Sequence, residues 1–332
     1  MNYELSKVNC ELSIARGRFA PSPTGRMHLG NVFCALLSWL SAKRRGGQWM
    51  LRIEDLDPQR SRRSFAMQLQ EDLQWLGLPW DGEVVWQSER SDIYEHYLRK
   101  LMDAGLTYPC FCTRADIMAT QAPHETDGRI VYAGTCRGRV LDEKMRAMPA
   151  AIRLIVPDEA ITFQDGHYGE QRVNLAEHCG DYILRRKDGA WAYQLAVVVD
   201  DALMGVTEVV RGRDLLLSTP QQLHLYRTLA SLSSPSNNAL SSSSEGFRVF
   251  SEPRFCHHPL LVNENGQRLC KRDLSMDLGI LQEKHTSPKE IIGRLAHLAG
   301  IIPEPSPTLP QDLLPFFTWQ KVLKEDITVE EL

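Results

Sequence analysis

The segment that most constrains the fold is RFAPSPTGRMHLGN, residues 18–31, a loop rich in proline and glycine between two apolar stretches. Residues 16–22 predict a short strand that runs into it, and residues 31–45 predict a helix capped by Asn31. Such a turn lets backbone N–H groups approach a phosphate at the start of the helix. The loop lacks the GK[ST] of a P-loop and the GxGxxG of a dinucleotide site. Its spacing alone therefore fits a plain strand-to-helix turn and a nucleotide site equally well.

Strand and helix patterns alternate after this loop. QWMLRIE (48–54) predicts a buried strand, and helices are predicted at residues 61–76 and about 89–104. Alternation of this kind indicates an α/β fold with a parallel sheet. Residues 106–190 do not follow this alternation of strands and helices. They contain turns, short strand-like runs and a cysteine cluster, which indicates an inserted domain.

The second half of the chain returns to the alternating pattern. AWAYQLAVVVDD (190–201) predicts an apolar run rich in β-structure, and Thr219-Pro220 predicts a helix with Thr219 as N-cap. A serine-rich loop, residues 231–246, is expected to be mobile, and helical periodicity returns at 288–298. The predicted divisions are a first α/β half (1–105), the insertion (106–190), a second α/β half (191–267) and a short helical C-terminal part (268–332).

Composition and charge limit the class of protein. The chain has 332 residues, of which 43% are hydrophobic, and no apolar run approaches the length that spans a bilayer. The first residues lack the apolar core of a signal peptide, so a cytoplasmic protein without a membrane partner is expected. The net charge of −4 argues against a large basic surface, but local basic clusters permit an RNA partner.

Three of the eight cysteines, Cys110, Cys112 and Cys136, lie near each other in the sequence. A reducing compartment argues against disulfides, and a CxC pair with one distant cysteine favours a structural zinc site over three buried thiols. Tetrahedral zinc needs a fourth ligand, and spacing alone favours a histidine. The candidates are Tyr132, His124 and Asp127.

Four motifs in order resemble those of the glutamyl-tRNA synthetases, which are class I aminoacyl-tRNA synthetases. In the first loop, HLGN (28–31) stands where that class has its HIGH tetrapeptide, and APSPTG (20–25) stands where the glutaminyl relatives have PPEPNG. The resemblance therefore points to glutamate. The others are LRIEDLDPQR, WQSERSDIYEHYLRKLMDAGLTYPCFCT and DYILRRKDGAWAYQLAVVVDDALMGVTEVVRGRDLLLSTPQQ, so that the resemblance covers residues 16 to about 275.

This resemblance implies a Rossmann-type parallel sheet interrupted by a zinc-bearing α+β insertion similar to the acceptor-binding domain of the larger synthetases. Only 57 residues follow residue 275, which implies a short subfamily without anticodon-binding domains. That subfamily uses ATP, with Mg²⁺, to activate L-glutamate and attaches it to queuosine in the anticodon of tRNA(Asp); a monomer is expected. A truncated glutamyl-tRNA synthetase that charges the tRNA 3′ end and a non-catalytic RNA-binding paralogue remain alternatives.

The resemblance also implies a glutamate site. Two arginines suit the two carboxylates of glutamate, because the guanidinium grips a carboxylate with two parallel hydrogen bonds. Arg18 and Arg211 are expected to take this role, with Arg211 on the side-chain carboxylate. Glu54 is expected to pair with the ammonium, and Tyr193 to donate a hydrogen bond from its hydroxyl. The remaining glutamate-binding residues are Phe19, Ala20, Pro21 and Ser22.

For ATP, the resemblance implies that His28, Gly30 and Asn31 approach the phosphates at the start of the helix. The second signature, KMSKS-like, is RLCKR, in which Lys271 is expected to stabilise the α-phosphate and the pyrophosphate. Arginine replaces its first lysine and cysteine its first serine, so weakened rather than lost activity is expected. This loop consists of Arg268, Leu269, Cys270, Lys271 and Arg272.

In the insertion, the family pattern of CxC followed by YxxxC selects Tyr132 as the fourth zinc ligand. Candidate contacts to RNA phosphates are Arg137, Arg139, Arg185 and Arg186.

Overall fold

The computed structural model describes five stretches of the chain: 15–119, 131–233, 250–269, 277–284 and 286–329. Several sequence-based expectations concern residues outside them. These are His124, Asp127, the serine-rich loop from residue 234 onward, Cys270, Lys271 and Arg272.

The two α/β halves, which the resemblance implies form one catalytic part, are built on parallel strands. They are β1 (Arg16–Phe19), β2 (Gln48–Ile53), β3 (Val85–Trp86), β9 (Glu208–Gly212) and β10 (Arg254–His258). β2 pairs with both β1 and β3, and β9 pairs with β10, all in parallel. The Thr207 N–H donates to the Arg16 carbonyl oxygen (2.9 Å), so β9 lies beside β1 and joins the two groups. The parallel α/β architecture predicted from the alternation is confirmed.

Five helices cover these strands: α1 (Leu29–Arg44), α2 (Arg63–Trp75), α3 (Ser91–Asp103), α7 (Tyr193–Leu203) and α8 (Thr219–Leu232). α1 is buried on nearly every side. It lies between the sheet and the C-terminal part, where Trp319 Nε1 donates to Ser41 Oγ (3.1 Å). α1 is therefore covered over more of its surface than a helix that packs through a single apolar stripe.

The prediction of a β-rich run at residues 190–201 is wrong, because this segment forms α7. Every residue from 195 to 202 is buried, including Asp200 and Asp201, so burial is not confined to one face of the helix and the apolar residues 195–199 are consecutive. A short apolar run of this kind cannot be assigned by periodicity alone. Packing against α3 and α8 overrides the strand preference of the three consecutive valines at 197–199.

Two helix starts also differ from the prediction. α1 begins at Leu29, with His28 as N-cap and Asn31 at the third helical position. α8 has Ser218 as N-cap and Thr219 as its first residue, because a 3₁₀ turn over Arg213–Ser218 runs directly into it. In both cases the cap lies before the polar residue that the sequence pattern selected.

The insertion is an antiparallel unit. Its elements are β4 (Thr107–Cys110), α4 (Arg114–Ala119), α5 (Glu143–Arg146), β5 (Ala151–Leu154), β6 (Ala160–Asp165), β7 (Gly169–Asn174), α6 (Leu175–His178) and β8 (Tyr182–Arg185). β4, β5 and β8 form one sheet, and β6 and β7 form a hairpin. The hairpin tip reaches the catalytic sheet, where the Gly166 N–H donates to the Phe255 carbonyl oxygen of β10 (2.8 Å).

The C-terminal part contains β11 (Leu261–Val262), α9 (Leu278–Glu283), α10 (Pro288–Leu298), a 3₁₀ turn (Pro310–Leu313) and β12 (Ile327–Thr328). The helix predicted at 288–298 is confirmed, but the part is not purely helical, because β12 pairs in parallel with β11. None of the described helices is long and apolar enough to span a membrane.

Candidate active site

One cavity of about 440 Å³ opens at the carboxyl ends of β1, β2, β9 and β10 and at the start of α1. Ligands of open parallel sheets bind at this edge. Every described residue of the expected glutamate and ATP sites lines it: Arg18, Phe19, Ala20, Pro21, Ser22, His28, Gly30, Asn31, Glu54, Tyr193, Arg211, Arg268 and Leu269.

Beneath the cavity lies a balanced group of buried charges. Asp201 accepts from Arg18 Nε (3.2 Å) and Arg52 Nη1 (2.5 Å). Burial alone would raise the pKa of Asp201, but the two guanidinium groups lower it below its ordinary value. Arg52 also donates to Glu54 Oε1 (3.1 Å). Arg18 therefore brings a charge to the cavity that Asp201 already offsets.

Arg211 lies 4% exposed at the end of β9 and has a different environment. Among the described residues, no carboxylate forms an ion pair with its guanidinium, and burial lowers its pKa. Its N–H groups donate to neutral acceptors: Thr219 Oγ1 (2.8 Å), Gln222 Oε1 (2.9 Å), His257 Nε2 (3.0 Å), the Leu215 carbonyl oxygen (3.3 Å) and Tyr193 Oη (3.4 Å). A buried cation without a counterion favours an anionic ligand.

Glu54 is the acid that faces the cavity. It directly follows β2, and its side chain is 11% exposed. Burial raises the pKa of Glu54 against the opposing effect of Arg52 and Arg18. It also lines an adjoining cavity of about 360 Å³, together with Tyr193 and Trp191, so that two openings meet at this carboxylate.

The start of α1 faces the same cavity. His28 Nδ1 accepts from the Gly30 N–H (3.1 Å), and Asn31 Oδ1 accepts from the His28 N–H (3.2 Å). A Cβ at Gly30 would lie 3.0 Å from the His28 ring, so glycine lets the ring stay in its capping position. The positive end of the helix dipole adds to the attraction for an anion here.

The second signature is described only at its start. Arg268 makes an ion pair with Asp214, and its backbone bridges to Val262. Leu269 is buried against the catalytic core. Both residues line the cavity, and so does Asp214.

The sequence analysis missed several lining residues, among them Cys34, Asp214 and His258, whose side chains are reactive or titratable. Burial raises the pKa of the Cys34 thiol to about 12. His258 Nδ1 lies 2.8 Å from the Pro259 carbonyl oxygen, while Nε2 is buried without a hydrogen-bond partner among the described residues. The position of two of them in the sequence was the available signal, since Asp214 follows β9 and His258 is the last residue of β10.

The cysteine cluster lies apart from this cavity. The sulfur atoms of Cys110, Cys112 and Cys136 lie within 4.8 Å of one another, and Tyr132 Oη lies 3.4 Å from Cys110 Sγ and 3.8 Å from Cys112 Sγ. Zinc with bonds of about 2.3 Å separates its tetrahedral sulfur ligands by about 3.8 Å. The Arg153 guanidinium lies 3.7 Å from the centre of the Tyr132 ring. Three thiols and one phenol therefore fit a tetrahedral ion.

The basic residues of the insertion differ in how strongly they are paired. Arg137 makes an ion pair with buried Asp181. Arg185 donates to Glu95 (3.0 Å). Arg186 makes an ion pair with Asp188 in an exposed turn. Arg139 is exposed. Arg137 is thus engaged within the protein, which makes it the weakest of the four candidates for an RNA phosphate.

Comparison with known proteins identifies the family. Residues 15–243 match the family described as "tRNA synthetases class I (E and Q), catalytic domain". The chain belongs to this family. This class I catalytic domain has a solved relative in a glutamate tRNA ligase from Elizabethkingia meningosepticum, in complex with its amino acid. The two superpose with a TM-score of 0.76 at 28% identity, over 96% of this chain and 67% of that one.

Within the class I synthetases, two curated relatives are more similar. The glutamyl-Q tRNA(Asp) synthetase of Symbiobacterium thermophilum is 44% identical over 94% of this chain and 95% of its own length. The protein of the same name from Nitratidesulfovibrio vulgaris is 43% identical over 90% of each chain.

Proposed function

We propose that this chain is an ATP-dependent ligase that activates L-glutamate as glutamyl-adenylate and transfers the glutamyl group to queuosine in the anticodon of tRNA(Asp). The names of its relatives support this activity. The observation that carries it is the buried guanidinium of Arg211, which has no ion-pair partner among the described residues. The neighbouring carboxylate of Glu54 supplies the opposite charge that an amino-acid ligand needs.

In this proposal glutamate is held by charge complementarity. Its side-chain carboxylate pairs with Arg211, whose hydrogen bonds to Tyr193 (3.4 Å) and Leu215 (3.3 Å) are the longest it makes. Its ammonium faces Glu54, and its α-carboxylate lies towards Arg18. The offset charge of Arg18 suits this arrangement, since the α-carboxylate must remain free enough to react.

The chemistry requires no side-chain nucleophile. An α-carboxylate oxygen attacks the α-phosphate of ATP, and pyrophosphate leaves as the P–O bond breaks. The protein contributes orientation and positive charge through the start of α1, Arg268 and Lys271. Mg²⁺ bound with ATP would neutralise phosphate charge. A queuosine hydroxyl then attacks the acyl carbon, and AMP leaves.

The insertion, residues 106–190 in our division of the chain, would meet the anticodon stem–loop. We propose that Cys110, Cys112, Cys136 and Tyr132 hold one structural zinc ion there. Exposed arginines, Arg139 above all, would contact RNA phosphates.

The deciding experiment is glutamylation of tRNA(Asp) with and without queuosine. We expect labelling with ATP and glutamate only when queuosine is present, and glutamate-dependent ATP–pyrophosphate exchange without any RNA. Equal labelling of queuosine-free tRNA(Asp), or labelling of tRNA(Glu) alone, would indicate a truncated glutamyl-tRNA synthetase. Absence of exchange would instead favour a non-catalytic RNA-binding protein.

A further inference from the structure

Asp165 is the last residue of β6, at the tip of the β6–β7 hairpin, and so belongs to the insertion. It nevertheless contacts His257, which is a hydrogen-bond partner of Arg211. Asp165 Oδ2 lies 2.6 Å from His257 Nδ1, and His257 Nε2 lies 3.0 Å from Arg211 Nε. Asp165 and His257 are fully buried, and 92 positions separate them in the sequence. The three side chains form a continuous hydrogen-bonded chain from the insertion to the candidate glutamate site.

The directions of these hydrogen bonds follow from Arg211. A guanidinium only donates, so His257 Nε2 must accept and Nδ1 must carry the proton. Burial lowers the pKa of His257 to about 4, although Asp165 opposes this, so the ring is neutral. Burial alone would raise the pKa of Asp165, but its hydrogen bond from His257 lowers it, so the carboxylate is charged. Asp165 thus fixes the one tautomer that Arg211 can use.

The hairpin tip itself is held firmly. Asp165 Oδ1 accepts from the N–H groups of His167 (3.0 Å) and Tyr168 (2.9 Å). A Cβ at Gly166 would lie 2.1 Å from Cys256 Sγ, so only glycine permits this close approach to β10. The carboxylate of Asp165 is therefore held in place by its own hairpin as well as by its contact with His257.

We propose that Asp165 and His257 are positioning residues for glutamate activation, which orient Arg211 towards the side-chain carboxylate of the substrate. This inference rests on the proposed function, in which Arg211 binds that carboxylate. It makes the insertion a structural component of the amino-acid site as well as a surface for RNA. With Nε held by His257, the terminal nitrogens of Arg211 donate to Gln222, Thr219, Tyr193 and Leu215, and the two longest of these bonds, to Tyr193 (3.4 Å) and Leu215 (3.3 Å), are the ones that a ligand carboxylate would replace.

The test is Asp165→Asn, which conserves shape and reverses one hydrogen bond. The amide oxygen can still accept from the two hairpin N–H groups, so its NH₂ must face His257 Nδ1. His257 then carries its proton on Nε2, which faces a donor of Arg211. We expect KM for glutamate in ATP–pyrophosphate exchange to rise about 10- to 100-fold, with KM for ATP and the melting temperature near wild-type values. ¹⁵N NMR of the imidazole should report the reversed tautomer.

His257→Gln supplies the second arm of the experiment, because a glutamine oxygen accepts from Arg211 without any tautomer. Adding Asp165→Asn to this variant should change KM for glutamate less than about threefold, so that the two substitutions are strongly coupled. Asp158→Asn is the matched control. It lies at the base of the same hairpin, accepts from Asn174 (2.9 Å) and does not contact His257.

The outcomes separate the two hypotheses. A wild-type chain without glutamate-dependent exchange contradicts the proposed function itself. If wild-type exchange is normal, an unchanged KM for glutamate in Asp165→Asn overturns the positioning role. Equal effects of Asp165→Asn with and without His257→Gln also overturn it, as does a parallel rise in KM for ATP accompanied by a lower melting temperature.

Discussion

Replacing Arg211 by glutamine removes the one buried positive charge of the cavity that lacks a carboxylate partner among the described residues. Arg211 is 4% exposed, so a substrate carboxylate that reaches its guanidinium is desolvated as well. Truncating one side of such a pair costs about 2–5 kcal/mol. At about 1.4 kcal/mol per factor of ten, kcat/KM for glutamate should fall about 30- to 4,000-fold in Arg211→Gln.

The substitution should also change substrate preference. In the wild type, glutamine would place a neutral amide against Arg211 and leave its charge unpaired, which disfavours glutamine. In Arg211→Gln this penalty disappears, so the ratio of kcat/KM for glutamate to that for glutamine should approach one.

The assay is ATP–pyrophosphate exchange at saturating ATP, with glutamate and glutamine varied in turn. Arg139→Gln is the matched control, because it exchanges the same residues on the exposed surface of the insertion. Thermal unfolding of both variants checks the fold. A decrease of less than tenfold for glutamate in a folded Arg211→Gln, or an unchanged preference over glutamine, would refute the assigned role.

Three further predictions concern other parts of the molecule. Cys136→Ser should lose the bound zinc, measured by metal analysis after dialysis against a chelator, and should melt at a lower temperature; retention of one zinc ion per chain would contradict the site. Gly30→Ala should push on the His28 ring 3.0 Å away and raise KM for ATP about tenfold, with KM for glutamate nearly unchanged as the control measurement. Burial lowers the pKa of His257 and of His258 from 6.5 to about 4, so both are neutral in the folded chain and become charged on unfolding below pH 6.5. The free energy of unfolding in urea should therefore fall as the pH is lowered from 6.5 to about 4, and a flat profile would show that the pKa values of these rings are not lowered by folding.

The sequence predicts the catalytic sheet because its strands and helices differ in hydrophobic period. It fails at α7, where burial on every side removes the helical period and the valines favour a strand. It fails at His28 for another reason: the cap is a histidine, which propensity does not select, held by Asn31 three positions later.

The residues of the candidate site also divide into those that the sequence predicts and those that it does not. Residues that stand within recognisable motifs, such as Arg18 and Glu54, could be proposed from the sequence. Asp165 could not, because its relation to His257 exists only once the hairpin lies against β10. No local pattern encodes a contact between two residues that lie 92 positions apart in the sequence.

The pairing of β12 with β11 has a consequence for synthesis on the ribosome. Ile327 donates to the Leu260 carbonyl oxygen (2.9 Å) and Val329 to that of Val262 (2.9 Å), next to Leu261 in the cavity wall. A nascent chain that has emerged only through Val262 carries nearly every cavity residue but lacks the strand that fixes this wall. The apolar surface of this wall stays uncovered until some 65 further residues have been synthesised. During that time the nascent chain is a target for chaperones and is prone to aggregate. Ligand binding by ribosome-bound chains should accordingly appear late and abruptly.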